Sequence, residues 1–592
     1  MCGIAGLMVA AGRLPDRQLL DRMAQALAHR GPDGQGRYLG ANVALAHTRL
    51  AVIDLVTGDQ PLHEPGGAVL VGNGEIYNYV ELRRDPALFG INFRTGSDFE
   101  PALHLFRRKD LAFLDDLRGM YAIALHDAPT GRLVLSRDPF GIKPLYYIAR
   151  PGLFAFASEP RAFLAAGLID AEIEPHQRAE LLEWQFSTGG DTPLRGISRL
   201  LPGETLVVVD ARIVERRYRR ALPSLDRGPV AASEPETLAR LDAALTDSMT
   251  VHRRADVACG IFLSGGIDSA VVLAALARVG APPAVAFTVG FGGAGSAVTD
   301  ERPAARRLAE RFGIRHVAVD FDASDFWTLL PRAADALDDP VADYAALPTL
   351  KLAAEASGTA KVIFSGEGGD ELFGGYGRYR RAMRPRWRAG RPMRARGTLE
   401  RTDVLSRRDR GWRDGLAAIE RAEAGGGRSR LQAVQAVDIA GWLPNNVLTK
   451  LDRCLMAHGI EGRVPLLDAA VADAAFGLPD RLKVRHGRGK WLLRRWLARA
   501  VPEIDTTAGK QGFTVPVGAW IAGQAERIGP LVARQAGVRE ICEPRAVECL
   551  FARRDSRSSA GQWSLLFYAC WHQRHIVGVA GARDTFEHLM AA

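Results

Sequence analysis

The chain has 592 residues, of which 47% are hydrophobic, and its formal net charge is +9. This length exceeds what one hydrophobic core serves, so we expect about two or three domains. Six cysteines are scattered without a Cys-x-x-Cys pair, which excludes a zinc knuckle or thioredoxin-type pair and fits a reducing compartment. No signal-peptide pattern opens the chain, and prolines and glycines interrupt its longest uncharged stretch, residues 279–299. We therefore expect a soluble, cytoplasmic protein.

Cys2 follows the initiator methionine directly, and residues 3 and 5 are also small. A small second residue permits removal of the methionine, which would leave Cys2 with a free α-amine. The thiol would then be a nucleophile, and the amine, with a pKa of about 8 in model compounds, would be its base. The alternative is an ordinary buried cysteine.

Residues 16–28 have an amphipathic pattern that predicts a helix, and residues 43–55 alternate as a strand does. Polar clusters accompany them at 29–33 (His-Arg-Gly-Pro-Asp), at 47–54, at 72–78 (Gly-Asn-Gly-Glu-Ile-Tyr-Asn) and at 95–100. Taken singly these clusters are weak signals, because Asn-Gly is a common turn dipeptide and Arg49 could form a surface ion pair.

Further alternating strands are predicted at 120–127 and 133–136, and a last hairpin-like strand at 201–209. The composition then changes, because residues 223–236 are rich in Pro, Ser, Ala and charge and are typical of a linker. A helix is predicted at about 236–253. We expect domains at 1–218 and 236–592, joined by a linker at 219–235.

The second half is organised around residues 261–269, where an apolar strand, a Ser-Gly-Gly turn and an apolar helix follow one another. This layout aims backbone N–H groups and a helix N-terminus at a phosphate, and Asp268 could hold Mg²⁺ bound to that phosphate. The alternative is a packing turn. Strands at 284–291 and 316–321 with a helix at 300–312 predict a parallel, doubly wound sheet.

A second glycine-rich corner occurs at 361–376, where Glu367, Asp370 and Glu371 crowd one strand-to-helix turn. Glycine permits close backbone approach, and the carboxylates would repel one another unless a cation intervened. A solvated acidic loop is the alternative. Both corners are expected at the carboxyl ends of strands, where ligands bind in such sheets.

The run Ser-Gly-Gly-Ile-Asp-Ser at 264–269 resembles the pyrophosphate loop of the ATP pyrophosphatases. Together with Met-Cys-Gly-Ile at 1–4, the resemblance narrows to the glutamine-hydrolysing asparagine synthetases and covers nearly the whole chain. It implies an α+β N-terminal domain with the αββα sandwich of the Ntn hydrolases. An α/β parallel-sheet ATP-pyrophosphatase domain with a helical C-terminal part would follow.

The resemblance also implies a glutamine pocket around Cys2. Arg49 would bind the α-carboxylate, for which a guanidinium fork is suited. Asn73 and Gly74 would form the oxyanion hole, and Glu75 and Asp98 would take the α-amino group. The segment that follows Arg49 would complete the pocket, with Leu50, Ala51, Val52 and Ile53.

In the second domain the resemblance implies an ATP site with Mg²⁺. Asp268 and Asp370 would hold the metal, Glu367 would assist formation of the acyl-adenylate, and Lys490 would meet the departing pyrophosphate. The other implied ATP contacts are Leu263, Ser264, Gly265, Gly266, Ser269, Val289, Ser365 and Gly366. Lys490 could also be an ordinary surface lysine. Residues 510–513 match the family as well.

The run at 448–468 follows a family pattern but departs from it at two positions, Leu455 for serine and Gly462 for alanine. A lost hydroxyl near the acceptor pocket could indicate a less polar or larger acceptor than aspartate, or neutral drift. Trp563, Phe567, Tyr568 and Trp571 are spaced as on a core-facing helix.

Much of the excess positive charge lies in residues 378–413. We interpret this segment as a solvated, mobile excursion rather than a nucleic-acid patch, because no aromatic platform accompanies it in the sequence.

The sequence thus predicts glutamine-dependent synthesis of asparagine, with glutamine, aspartate and ATP as substrates. A homodimer is compatible with it, and no membrane partner is expected. Two alternatives stay open: the same chemistry on another carboxylate, such as a peptide or a cell-surface component, and a catalytically silent nucleic-acid-binding regulator.

Overall fold

The computed structural model describes residues 2–224, 233–291, 300–385, 393–400, 402–425, 427–507 and 515–591. The strands of the first half are β1 (Gly3–Val9), β2 (Gly34–Leu39), β3 (Val43–Arg49), β4 (Leu62–His63), β5 (Ala68–Ile76), β6 (Gly119–Asp127), β7 (Arg132–Arg137), β8 (Tyr146–Arg150), β9 (Leu153–Ala157), β10 (Ser198–Arg199), β11 (Glu204–Val209) and β12 (Arg212–Tyr218). Those of the second half are β13 (Cys259–Phe262), β14 (Val285–Phe291), β15 (Arg315–Phe321), β16 (Val362–Phe364) and β17 (Glu461–Arg463).

The helices up to the second glycine-rich corner are α1 (Arg17–Ala26), α2 (Tyr79–Leu82), α3 (Glu100–Lys109), α4 (Phe113–Asp116), α5 (Arg161–Ala165), α6 (Pro175–Trp184), α7 (Glu234–His252), α8 (Ile267–Arg278), α9 (Arg302–Arg311), α10 (Ala323–Ala336), α11 (Ala346–Ser357) and α12 (Gly369–Phe373). Those that follow are α13 (Gly377–Ala382), α14 (Asp414–Glu423), α15 (Arg430–Val437), α16 (Thr449–Met456), α17 (Ala469–Phe476), α18 (Asp480–Lys483), α19 (Trp491–Ala500), α20 (Val517–Gly523), α21 (Ala525–Arg534), α22 (Ala536–Arg539), α23 (Pro544–Ala552), α24 (Ser556–His572) and α25 (Thr585–Met590). A π-helix, Asp438–Leu448, joins α15 to α16.

The first half is a sandwich of two antiparallel sheets, in the orders β10-β8-β9-β1-β3-β2 and β12-β11-β7-β6-β5-β4. Strand alternation sends successive side chains to opposite faces, so Ile4 and Met8 of β1 pack between the sheets, whereas Ala5 and Leu7 join the cluster that contains α1 residues. Helix α3 packs on the outer face of the other sheet. The predicted αββα sandwich is therefore confirmed.

The second half contains a parallel sheet in the order β15-β14-β13-β16-β17. The strand order reverses between β13 and β16, and in doubly wound sheets ligands bind at such a switch point, beyond the carboxyl ends of the strands. The two glycine-rich corners follow β13 and β16, so the fold places them side by side at this point. The predicted parallel-sheet domain with a helical C-terminal part is confirmed.

Three local predictions need correction or extension. The strand predicted at 43–55 ends at Arg49, because the Asp33 carboxylate accepts the Ala51 N–H at 2.8 Å and draws the chain out of the sheet. The helix predicted from 236 begins at Glu234, since Ser233 and Glu236 form a capping box. The predicted strand at 201–209 is followed by β12, its hairpin partner.

The aromatic residues of the tail lie on α24 as predicted, and each is at most 2% exposed. In the part of the chain that the structure describes, no helix has the length and apolar character needed to cross a membrane. Residues 225–232 of the predicted linker and the family match at 510–513 lie outside the described residues.

The interpretation of residues 378–413 as a solvated excursion is wrong for Arg378 and Arg394. Arg378 donates to Asp438 at 2.5 Å, and the Arg394 guanidinium lies 4.0 Å from the centre of the Trp442 ring. The aromatic partner comes from the π-helix, outside the arginine-rich segment, and so the local composition gave no sign of it. Residues 386–392 and 401 lie outside the described residues.

A network of buried charges joins the two halves of the chain. Arg30, with 0% exposure, binds Glu159 of its own domain at 2.6 Å and Asp452 of α16 at 2.8 Å. Arg453 beside it binds Asp338 at 3.0 Å. Desolvation opposes burial of each charge, so the network is stable only with all partners present.

We therefore expect Asp452→Ala to destabilise the protein by ~3–5 kcal/mol, because it leaves Arg30 buried with fewer counter-charges. Urea unfolding followed by tryptophan fluorescence measures this loss. The control is Glu172→Ala, which breaks an ion pair whose side chains are 53% and 57% exposed and should cost about 0–1 kcal/mol. Equal losses in the two variants would contradict the structural role of the network.

Candidate active sites

Cys2 lies at the start of the central part of the first sheet, where β1 pairs with both β3 and β9. Its backbone N–H donates to the Asn73 side-chain oxygen at 3.0 Å, and its sulfur lies 4.0 Å from the Leu50 carbonyl oxygen. Cys2 is 8% exposed, and burial raises the pKa of its thiol. Although it is buried, Cys2 lines a pocket and is not enclosed in a packed core.

That pocket brings together most of the residues expected to bind glutamine. The predicted residues on its wall are Cys2, Arg49, Leu50, Val52, Ile53, Gly74, Glu75 and Asp98. Ala51 and Asn73 are not part of the wall, although Asn73 contacts the Cys2 backbone. The wall also includes His47, Ser97 and Phe99, which lie in the clusters at 47–54 and 95–100 expected to build the pocket but were not singled out, and sequence reasoning missed Gly58 and Gln60. One signal was available for His47, since it lies two residues before Arg49 on β3 and therefore on the same face.

Asn73 and Gly74 lie on β5 as adjacent residues. The Asn73 amide nitrogen is buried and has no hydrogen-bond partner among the described residues, so a donor is available beside Cys2. Gly74 has a φ of 131°, and a Cβ there would overlap the Met120 carbonyl oxygen. Only glycine fits at this position. The pair has the composition of an oxyanion hole.

The Arg49 guanidinium is 9% exposed and already engaged. It donates to the Asp59 carboxylate at 2.7 Å and to the carbonyl oxygens of Ile53 and Asp54. The alternative interpretation of the sequence was that Arg49 forms a surface ion pair. Arg49 does form an ion pair, and its partner is exposed, but Arg49 itself lies on the pocket wall. A carboxylate ligand would compete with Asp59 for the same fork.

Glu75 and Asp98 are carboxylates that the fold keeps from water, with 4% and 6% exposure. Burial raises the pKa of Asp98 to about 7, against the hydrogen bond that it accepts from the Ile76 N–H at 2.7 Å. Burial also raises the pKa of Glu75 well above its ordinary range, and Glu461 and Asp98 add to the effect. Both groups therefore favour a cationic ligand.

The two corners of the parallel-sheet domain are in contact. Hydroxyl groups shape the first, because the Ser264 and Ser269 hydroxyls are 2.9 Å apart and the Gly266 N–H donates to the Ser264 hydroxyl at 3.1 Å. A Cβ on Gly366 of the second corner would lie 2.8 Å from the Asp268 Cβ and from the Ser269 nitrogen. Glycine is required for this approach. Leu263, Val289 and Ser365 are buried beside the corners, at 7% exposure or less.

The Lys490 ammonium lies between the two aspartates that were predicted to hold a metal. It contacts Asp268 and is 2.8 Å from Asp370, and these carboxylates raise its pKa against the effect of burial. Lys490 is 6% exposed, so the alternative of a surface lysine is excluded. A cation bound by two carboxylates shows that this point suits positive charge.

The donor set also fits magnesium, whose preferred ligands are carboxylate oxygens. Among the residues that the structure describes, no group of three or more His, Cys, Asp or Glu side chains is arranged to hold a metal ion. Two carboxylates alone form an incomplete shell, and Mg²⁺ usually completes such a shell with phosphate oxygens and water.

Glu367 lies half-buried in the second corner, and burial raises the pKa of its carboxyl group. The Lys450 ammonium lowers the pKa of Glu367 against this effect, and it is itself paired with Asp343 at 2.9 Å. Sequence reasoning did not place Asp343 or Lys450 in the site. No local signal identifies Asp343, because its partner is 107 residues away in the chain.

The two departures from the family pattern prove to be one packing feature. Leu455 is 0% exposed, and a Cβ on Gly462 would lie 2.7 Å from its Cδ1 atom. The larger side chain at 455 therefore requires the smaller one at 462. This compensation explains both residues without a change of acceptor.

Each half of the chain matches the model of a known protein family. Residues 240–573 match the family model described as asparagine synthase, and residues 1–219 match the model described as glutamine amidotransferase domain.

Full-length relatives agree with these matches. The chain is 30% identical to asparagine synthetase [glutamine-hydrolyzing] 1 of Bacillus subtilis, with 97% of each chain covered. It is 32% identical to a putative asparagine synthetase [glutamine-hydrolyzing] of Mycobacterium bovis, again with 97% of each covered. Asparagine synthetase [glutamine-hydrolyzing] 3 of Bacillus subtilis is 28% identical over 85% of each chain. The chain therefore belongs to the asparagine synthase family, with a glutamine amidotransferase domain in its first half.

Proposed function

We propose that the protein synthesises asparagine from aspartate, with glutamine as nitrogen donor and ATP as activating substrate. One observation carries the proposal. A single chain contains a pocket around Cys2 and, around Lys490, the two adjoining glycine-rich corners, which together we call the nucleotide corner. Each contains residues expected for its half-reaction. The full-length relatives support the pairing of these activities, and they do not favour the two alternatives. The compensated pair at 455 and 462 removes the sequence hint of another acceptor.

In the first half-reaction the Cys2 thiol attacks the side-chain amide of glutamine. Removal of Met1 frees the Cys2 amine, which takes the thiol proton and delivers it to the leaving ammonia. The Asn73 amide and the Gly74 N–H bind the oxyanion of the tetrahedral intermediate. Arg49 holds the α-carboxylate, and Glu75 and Asp98 hold the α-ammonium group. Water then hydrolyses the thioester and releases glutamate.

In the second half-reaction an oxygen of the aspartate β-carboxylate attacks the α-phosphorus of ATP, and pyrophosphate leaves. The first corner binds the phosphates through Ser264, Gly265, Gly266 and Ser269, and Lys490 offsets the charge that develops on the leaving pyrophosphate. Glu367, half-buried in the second corner, assists adenylation. Ammonia then attacks the acyl-adenylate and displaces AMP. Asp268 and Asp370 would hold Mg²⁺, which would supply further positive charge to the phosphates.

Three further statements stay predictions. These are a homodimer, which light scattering on the purified protein checks, a cytoplasmic location, and the division of the chain at residues 218 and 235.

We expect Cys2→Ala to abolish glutamine-dependent synthesis while synthesis from added ammonium continues, because the substitution removes the nucleophile and leaves the nucleotide corner intact. AMP and asparagine release with each nitrogen source are the measurements. Cys549→Ala is the matched control, since that cysteine is exposed, and it should retain both activities. Loss of the ammonium reaction in Cys2→Ala would contradict separate sites.

Asp268→Ala should stop AMP formation and preserve glutamate release, because the change removes a cation-binding carboxylate from the nucleotide corner alone. Asp320→Ala tests the same substitution at a side chain that is 78% exposed in the same domain, and should leave both rates near the wild-type values. AMP formation at the wild-type rate in Asp268→Ala would remove this residue from ATP binding.

The KM for glutamine should rise as the pH falls through about 7, the pKa of Asp98. The protonated carboxyl group carries no charge to attract the α-ammonium group, so a single group with this pKa raises KM roughly 25-fold between about pH 7.5 and about pH 5.5. Steady-state glutamate release over this range measures the change. The Asp98→Asn variant should bind glutamine weakly, and its KM should depend less on pH. A dependence of KM on pH equal to that of wild type would exclude Asp98 as the titrating group.

A further inference from the structure

The side chain of Arg463 reaches from the parallel-sheet domain to the glutamine pocket. Its Nη2 atom lies 3.5 Å from Oε2 of Glu75, a pocket-wall residue, and Arg463 itself is 0% exposed. Both atoms are buried and have no hydrogen-bond partner in the described part of the chain. The two charges therefore face each other, and the Glu75 oxygen can still accept a hydrogen bond.

The other nitrogens of the Arg463 guanidinium are fully engaged. Its Nε donates to the Glu461 carboxylate at 2.6 Å. Its Nη1 donates to the carbonyl oxygens of His252 at 2.5 Å and Arg254 at 2.7 Å. These bonds fix the plane of the guanidinium and direct its remaining donor group toward Glu75.

The backbone of the same residue supports the nucleotide corner. Arg463 pairs with Phe364, the last residue of β16, and its carbonyl oxygen accepts the Ser365 N–H at 2.9 Å. Ser365 is the first residue of the second corner. A displacement of that corner would therefore act on β17 through this pairing, and through β17 on the guanidinium that faces Glu75.

The charges around Glu75 give this contact its effect. Glu461 and Asp98 act on Glu75 as negative neighbours, and Arg463, followed by the N-terminal amine of the chain, acts as a positive one. Glu75 and Glu461 thus share the Arg463 guanidinium, Asp98 adds a third carboxylate, and the α-ammonium group of glutamine would add positive charge to that of Arg463 and the N-terminal amine. The position of Arg463 decides how much negative charge remains for that ammonium group.

We propose that Arg463 is a positioning residue that sets the glutamine affinity of the Cys2 pocket and makes this affinity depend on occupancy of the nucleotide corner. It touches no reacting atom and acts through Glu75. The inference rests on the proposed function, because it assigns Glu75 to the α-ammonium group.

The test compares Arg463→Lys with wild type in the full-length protein. Glutamate release is measured against glutamine concentration, with and without ATP, Mg²⁺ and aspartate. We expect the wild-type KM to depend on ATP and aspartate. The variant should lose this dependence, raise KM about tenfold and change kcat less than about threefold. Ammonium-dependent AMP release measures whether the parallel-sheet domain is intact.

Arg118→Lys is the matched control, since Arg118 also joins the domains, through Asp468 at 2.8 Å and Asp247 at 2.7 Å, but does not contact Glu75. It should keep the wild-type KM and its dependence on the nucleotide. A KM in Arg463→Lys equal to wild type would overturn the proposal, as would equal rises in KM in both variants. A wild-type KM that ignores ATP and aspartate would overturn the dependence on the nucleotide corner.

A second variant, Glu461→Gln, keeps the proposal testable if Arg463→Lys does not fold. It removes one negative neighbour of both Glu75 and Asp98 and leaves an amide oxygen for Arg463, so the rise of KM at low pH should move to lower pH. An unmoved or opposite shift would count against the proposal. If the protein hydrolyses glutamine but does not amidate aspartate, only the proposed function is contradicted. The role of Arg463 is tested by glutamate release, which does not depend on asparagine formation.

Discussion

The structure depends on a cation that no solvent reaches. Arg30 donates to the Cys2 carbonyl oxygen at 3.1 Å, while its charge is balanced by Glu159 from one domain and Asp452 from the other. A buried guanidinium without these partners would cost several kcal/mol. The domains must therefore stay docked for the N-terminal nucleophile to keep its place. The same buried ion pairs therefore hold the two domains together and keep Cys2 in position.

The same interface brings the second half of the chain to the glutamine pocket. Residues Leu50 and Val52 of the pocket wall pack in one cluster with Val362 of β16 and Met456 of α16. The strand that leads to the nucleotide corner thus lies against the glutamine pocket. Ammonia is mostly protonated in neutral water, and ammonium is no nucleophile. A packed interface between the glutamine pocket and the nucleotide corner therefore helps to keep the released ammonia from bulk water.

Sequence reasoning located the groups that lie in local motifs. Cys2, Asn73 with Gly74, and the corners around Asp268 and Asp370 each belong to a short run whose residue types have a direct chemical reason. It could not locate Asp343, Arg463 or the partners of Arg30, because these contacts join residues far apart in the chain, and only the docked domains bring them together. It also misread the arginine-rich segment, whose aromatic partner, Trp442, lies beyond the segment itself.

The central claim is that two sites in one docked chain pass nitrogen from glutamine to an adenylated acid. The most direct measurement supplies glutamine labelled with heavy nitrogen at the amide, together with ATP, Mg²⁺, aspartate and unlabelled ammonium, and follows the products by mass spectrometry. The account predicts asparagine with the heavy label and one AMP per asparagine. Asparagine that is mostly unlabelled, or ADP in place of AMP, would contradict it.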